Sequence, residues 1–143
     1  MTGDEYRLQR FVDAQALDYA DAIAALRRRT LDPSWMAHIF PRFANCYHDP
    51  SSDMFAIGSL DEARAYLAHP LLGPRMRESL AALEWLHDLD PSQLLSPTDR
   101  RKLHSSLTLF AEATGEPLMR NMLALWFGCR ADETTMEQLD LRP

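Results

Sequence analysis

Eight positions between Asp4 and Arg29 fall on one helical stripe, and all but one are apolar: Leu8, Phe11, Val12, Tyr19, Ala22, Ile23 and Leu26, with Gln15 the exception. A 3.6-residue period held over that length predicts an amphipathic helix, with Arg7, Arg10, Asp13, Asp18, Asp21 and Arg28 turned away from the core. A break into two helices is allowed near Ala16 to Asp18. The run Arg27-Arg28-Arg29 then falls at the carboxyl end, where cations complement the helix dipole, so it needs no ligand to explain it.

Shorter segments repeat the pattern. Asp32-Pro33-Ser34 can start a helix carrying Trp35, Met36, Ile39 and Phe40, ended by Pro41. Pro41 to Gly58 has no period, and Pro50-Ser51-Ser52-Asp53 is turn chemistry. Ser59-Leu60-Asp61-Glu62 has capping-box spacing: the Ser59 hydroxyl can accept from the Glu62 amide while the Glu62 carboxylate reaches back. Ala63, Tyr66 and Leu67 form the inner stripe of that helix, which His69-Pro70 terminates. Gly73-Pro74 restarts a helix running to about Asp88 on Met76, Leu80, Leu83 and Leu86. Ser96-Pro97-Thr98-Asp99 opens the next, with Leu103, Leu107, Phe110 and Ala111 as its stripe and Gly115 closing it. Pro117 begins another that Gly128 closes, and Asp132 caps a last one through Leu139. No stretch alternates strictly between hairpin turns, and no repeat has a solenoid period. The expectation is an all-α single domain over residues 1–143, with about seven or eight short helices too uneven for a simple up-down bundle.

Charge and composition narrow the function. A hydrophobic fraction of 46% is ample for a core, which excludes disordered and low-complexity classes. A net charge of −6 disfavours unspecific attraction to nucleic acid or anionic lipid, and no run of eighteen apolar residues could span a membrane. The acidic start and the presence of only Cys46 and Cys129 predict a cytoplasmic protein without a disulfide framework. There is no Gly-rich phosphate loop, dinucleotide fingerprint or helix-borne pair of zinc histidines, so no cofactor is expected. The oligomeric state is open.

Several segments recur together in a known pattern: Arg10-Phe11-Val12-Asp13-Ala14-Gln15, Trp35-Met36, Ile39-Phe40-Pro41, Ser59 through Leu67 followed by His69-Pro70, and Leu72-Gly73-Pro74-Arg75. Lys102-Leu103, Ser105-Ser106 and Thr108-Leu109-Phe110 continue it. From about Tyr6 to Thr135 the chain resembles the small bacterial family known as the eighteen-ten domain of unknown function. The resemblance implies an all-α fold and no established activity. Some members carry a calpastatin label; calpastatin is a disordered inhibitor, whereas this sequence has a core and capped helices. The family's Trp-Met-Trp-Phe-Ile-Phe-Pro-Gln stands here with Ala37, His38 and Arg42 at three positions, and its following Gly-Leu-Gly is replaced by the region from Cys46 to Asp53. Those departures predict an altered pocket if the family builds one there.

Candidate site residues come from polar groups in unusual places. Gln15 either braces neighbouring backbone or faces a ligand, and the bracing role is the commoner one for a core amide. Lys102, Ser105 and Ser106 share one helical face, an anion site if their donors converge. The same set read as a Ser nucleophile with a Lys base lacks a recognisable oxyanion hole, and Lys102 can instead pair with Asp99. His69 and Arg75 are helix punctuation first, with Glu78 a natural partner for Arg75; they could also project into a cleft with Lys102. His38, Cys46, His48, Asp49 and Asp53 do not have a common zinc spacing. Arg100-Arg101-Lys102 opposes the dipole at a helix start, and His104 and His87 need no special role. The Met and aromatic stripe from Leu118 to Phe127 is core before it is a docking groove. The reading is a non-enzymatic module that binds a small polar or anionic ligand, or a partner protein, through Gln15, Trp35, His69, Arg75, Lys102, Ser105 and Ser106. The alternatives are a small hydrolase or transferase using His69, or Lys102 with Ser106, and a scaffold without a pocket.

Overall fold

Where the sequence carries cap signals, helices begin. The computed structural model describes residues 6–28, 39–44, 53–84, 86 and 95–139. Helix α1 spans Gln9–Arg27 without interruption, so the break allowed near Ala16 does not occur. Phe11, Gln15, Ala22, Ile23 and Leu26 are its buried positions, all on the stripe read from the sequence. A 3₁₀ turn at Asp53–Phe55 follows. Helix α2 spans Leu60–Ala68, and the Ser59 hydroxyl accepts from the Glu62 amide at 3.0 Å, as the capping box requires. The Glu62 carboxylate reaches one residue further back than expected, accepting from the Gly58 amide at 3.0 Å.

Helix α3 spans Leu72–Glu84, beginning one residue ahead of Gly73-Pro74. His69 supplies the start that no Ser, Thr or Asp provides: its Nδ1 accepts from the amides of Leu71 and Leu72 at 3.0 and 3.2 Å. The α2–α3 turn is so tight that a Cβ on Gly73 would stand 2.2 Å from the Leu67 carbonyl oxygen. Helix α4 spans Pro97–Thr114, capped by the Ser96 hydroxyl on the Asp99 amide and closed by Gly115 in the left-handed conformation. Helix α5 spans Pro117–Phe127, and α6 spans Glu133–Gln138 with Asp132 as its cap.

Six α-helices and one 3₁₀ turn are thus found among the described residues, against seven or eight helices expected; most of the helix foreseen from Asp32 to Pro41 lies outside them. No strand forms among them, only an isolated parallel bridge between Phe43 and Ile57. That bridge ties the two ends of the irregular connection, with Ala44 donating to the Ile57 carbonyl at 2.7 Å and Ile57 to that of Arg42 at 2.8 Å. No described helix is long and apolar enough to cross a membrane.

Helix α4 is the axis of the core, packing against α2, α5 and α6, while α3 packs against α1, α2 and α5. Having neighbours on several sides, α4 is buried well beyond one stripe, from Ser105 through Ala111 without a gap. Phe11, Tyr66 and Phe110 meet at its middle: Tyr66 lies edge-on to Phe11 at 5.1 Å between centroids and tilted on Phe110 at 5.4 Å.

Candidate functional site

Gln15 and Tyr66 both face inward because each occupies a core position of its own helix, so α1 and α2 must pair their polar ends. The Gln15 Nε2 donates to the Tyr66 hydroxyl at 3.1 Å, and its Oε1 accepts from Arg75 Nη1 at 3.4 Å. A guanidinium can only donate, so Arg75 fixes which end of the amide is oxygen. Arg75, in the first turn of α3, lies over the Tyr19 ring with its central carbon 4.7 Å from the centroid. The Tyr19 hydroxyl donates to the Glu78 carboxylate, and Ser79 donates to the Arg75 carbonyl at 2.8 Å.

Electrostatics at this junction follow from burial. Desolvation holds the Tyr66 phenol well above the usual tyrosine range, with the Gln15 donor working against that shift. Tyr19 is pushed up by desolvation and then by its hydrogen bond to Glu78. Glu78, the expected partner of Arg75, is instead bonded by the Tyr19 hydroxyl and by Arg27 at 3.3 Å. Among the described residues no carboxylate pairs with Arg75. Its guanidinium is held in place by an amide and a ring, with no carboxylate in ion-pair contact among the described residues.

The other sequence candidates are distributed differently. His69 sits at the α2–α3 turn with Nδ1 committed to two backbone amides. Ser105 is buried in α4, accepting from the Phe43 amide at 3.4 Å and lying 2.6 Å from the Thr135 hydroxyl. Thr135 also lies 2.6 Å from Asp132 Oδ2; a carboxylate accepts, so the single Thr135 proton goes there and Ser105 donates to Thr135. That chain of hydroxyls fastens α6 to α4. Ser106 is 1% exposed on the same helix, and Lys102 is half-buried one turn earlier. Gln15 and Arg75 therefore meet, and Ser105 belongs to a different network. Trp35, with Ala37, His38, Cys46, His48 and Asp49, lies outside the described residues, and of Asp53 only the backbone is described. Arg42 is buried. Among the described residues no group of three His, Cys, Asp or Glu could hold a metal ion.

Two features went unread in the sequence. Arg10 donates to the carbonyls of Met54 and Ala56 at 2.7 and 3.0 Å, to those of Tyr6 and Arg7, and to the Glu62 carboxylate at 2.9 Å. Nothing local signals such a hub, because three of its partners, Met54, Ala56 and Glu62, lie more than forty residues away in sequence. The other is a cleft of about 330 Å³ lined by Pro97, Arg100, Arg101, His104 and Phe127. The His104 ring lies flat on Phe127, 3.9 Å between centroids and 1° from parallel, with Nε2 on the Arg130 carbonyl at 2.7 Å. Its one sequence signal is the basic run at the start of α4, where the dipole disfavours cations.

Comparison with known proteins agrees with this architecture. A family model described as a protein of unknown function, DUF1810, matches residues 5–139. The crystal structure of Rv1873, a conserved hypothetical protein from Mycobacterium tuberculosis, superposes with a TM-score of 0.91 at 35% identity, covering 97% of this chain and 100% of the other. No curated protein matches the chain in sequence.

Proposed function

The chain belongs to the DUF1810 family of proteins of unknown function, and we propose from its side chains that it is a non-enzymatic cytoplasmic module that binds a small anionic ligand. The observation that carries this is Arg75: a guanidinium fixed by Gln15 at 3.4 Å and by the Tyr19 ring, with no carboxylate partner among the described residues. A positioned guanidinium with no carboxylate in contact is what carboxylate and phosphate groups bind best, because the fork needs no rearrangement to accept them.

The catalytic alternative needs a base against an accessible nucleophile. Ser106, its nucleophile, is 1% exposed inside α4. His69 spends Nδ1 on the start of α3. These positions favour the binding reading. The test is a thermal-shift and calorimetric screen of phosphorylated and carboxylated metabolites on the native protein, Arg75→Gln and Lys102→Ala. A true ligand at 100 times its dissociation constant stabilises the native protein by about 2.7 kcal/mol, and Arg75→Gln abolishes that gain. A panel in which no ligand loses affinity on Arg75→Gln, or in which nothing responds, ends this reading.

A further inference from the structure

Arg75 is not the only arginine held without an acid. Arg100 and Arg101 line the cleft at the start of α4, and among the described residues neither pairs with a carboxylate, whereas Arg10, Arg27, Arg64 and Arg77 each do. Arg100 is oriented by the Trp126 carbonyl at 3.5 Å and by the Phe127 ring at 5.4 Å. The nearby acid Asp99 accepts from the Ser96 hydroxyl at 3.1 Å. This cleft is separate from the Arg75 junction. Arg77, two residues from Arg75, binds Glu116 just ahead of α5, while Phe127 is the last residue of that helix, eleven residues on and about 16 Å along its axis.

We propose that this cleft is a second binding site, one that takes a phosphomonoester, with the phosphate on Arg100 and Arg101 and the organic part against Pro97 and Phe127. Two guanidiniums at the positive end of a helix repel both each other and the dipole, a cost that a bound anion removes. The charge count selects the anion: a phosphomonoester carries about −1.5 to −2 at neutral pH and neutralises both arginines, whereas a carboxylate leaves one uncompensated. The lining supplies the rest of the match. Phe127 is held rigid by the parallel His104 ring, and Pro97 adds a second apolar wall. A volume of about 330 Å³ accommodates a phosphate with one small ring.

The experiment is a titration of the full chain, followed by backbone amide NMR, with phenyl phosphate, inorganic phosphate and benzoate. Phenyl phosphate is expected to give saturable shifts at Thr98, Arg101, His104 and Phe127 and to bind more tightly than either other probe. Arg100→Gln/Arg101→Gln weakens it roughly tenfold or more, and Arg75→Gln leaves it unchanged. Arg101→Gln alone, at an exposed position, gives a smaller loss and guards against misfolding of the double variant. The proposal is overturned by shifts confined to other residues, by an unchanged affinity in the double variant, or by benzoate binding as tightly. Inorganic phosphate binding as tightly as phenyl phosphate would remove the organic half of the assignment.

Discussion

Gln15 and Tyr66, fifty-one residues apart in sequence, join α1 to α2 through a 3.1 Å hydrogen bond in the interior. Gln15 is the hydrogen-bond partner of the Tyr66 hydroxyl inside a cluster of apolar side chains, so removing the amide leaves that buried hydroxyl unsatisfied. Gln15→Leu is expected to destabilise the fold by about 1–3 kcal/mol. Adding Tyr66→Phe removes the orphan hydroxyl, so the double variant loses clearly less than the sum of the singles, a coupling on the order of 1 kcal/mol. Urea denaturation of the three variants measures it, and strict additivity would mean the bond adds nothing.

The raised pKa of Tyr66 has a direct consequence at alkaline pH. Its cause is desolvation, so the folded protein holds the proton more tightly than the unfolded chain, whose tyrosines ionise near pH 10. Stability from this group is complete below about pH 10 and falls as the pH rises beyond it, because the unfolded state then releases the proton first. Tyr19 acts in the same direction, through desolvation and the Glu78 carboxylate. Urea midpoints between pH 8 and 11 should therefore decline, and Tyr66→Phe should flatten that decline by up to about 1.4 kcal/mol per pH unit. An equal slope in the variant would contradict the buried-phenol account.

How far the sequence announced this can be argued residue by residue. The stripe of α1, the Ser59 and Ser96 caps and the Gly115 stop rest on local chemistry, and local chemistry is readable along one chain. The burial of Ser105, Ser106 and Thr108 was not readable in the same way. It comes from α4 having neighbours on several sides, which a one-face periodicity cannot express. Gln15 was legible as an anomaly, but its partner Tyr66 read as core. Glu78 is one acid that Arg75 could pair with on its own helix; Tyr19 and Arg27 from α1 reach that carboxylate instead. His104 carried no signal, since its stacking on Phe127 exists only where α4 meets α5.

Gly73 decides between two opposing effects. In an exposed helix, Gly→Ala would stabilise by about 1 kcal/mol through propensity. Here the added Cβ would sit 2.2 Å from the Leu67 carbonyl oxygen and 3.0 Å from its carbon, both backbone atoms that cannot swing aside. Overpacking of that kind costs about 1–3 kcal/mol or more, so the clash prevails. Gly73→Ala should lower the thermal midpoint and separate the end of α2 from the start of α3, visible as faster amide exchange at Leu72 and Gly73. A stabilised variant would show that the turn relaxes freely.

Arg10 and Glu62 form the most heavily used ion pair of the described structure, with side chains only 14% and 10% exposed. Glu62 has two duties: Oε2 binds Arg10 and Oε1 accepts from the Gly58 amide at the start of α2. Glu62→Ala therefore strands a largely buried guanidinium and removes a cap together, an expected loss of about 3–5 kcal/mol. Arg10→Lys keeps the charge and still fails, because one ammonium cannot span the Met54 and Ala56 carbonyls and the Glu62 carboxylate at once. Its loss should approach that of Glu62→Ala, and the 3₁₀ turn at Asp53–Phe55 should gain proteolytic sensitivity in both variants. If Arg10→Lys retained native stability, the charge alone would suffice and the fork geometry would be irrelevant. Chemical denaturation combined with limited proteolysis distinguishes these outcomes.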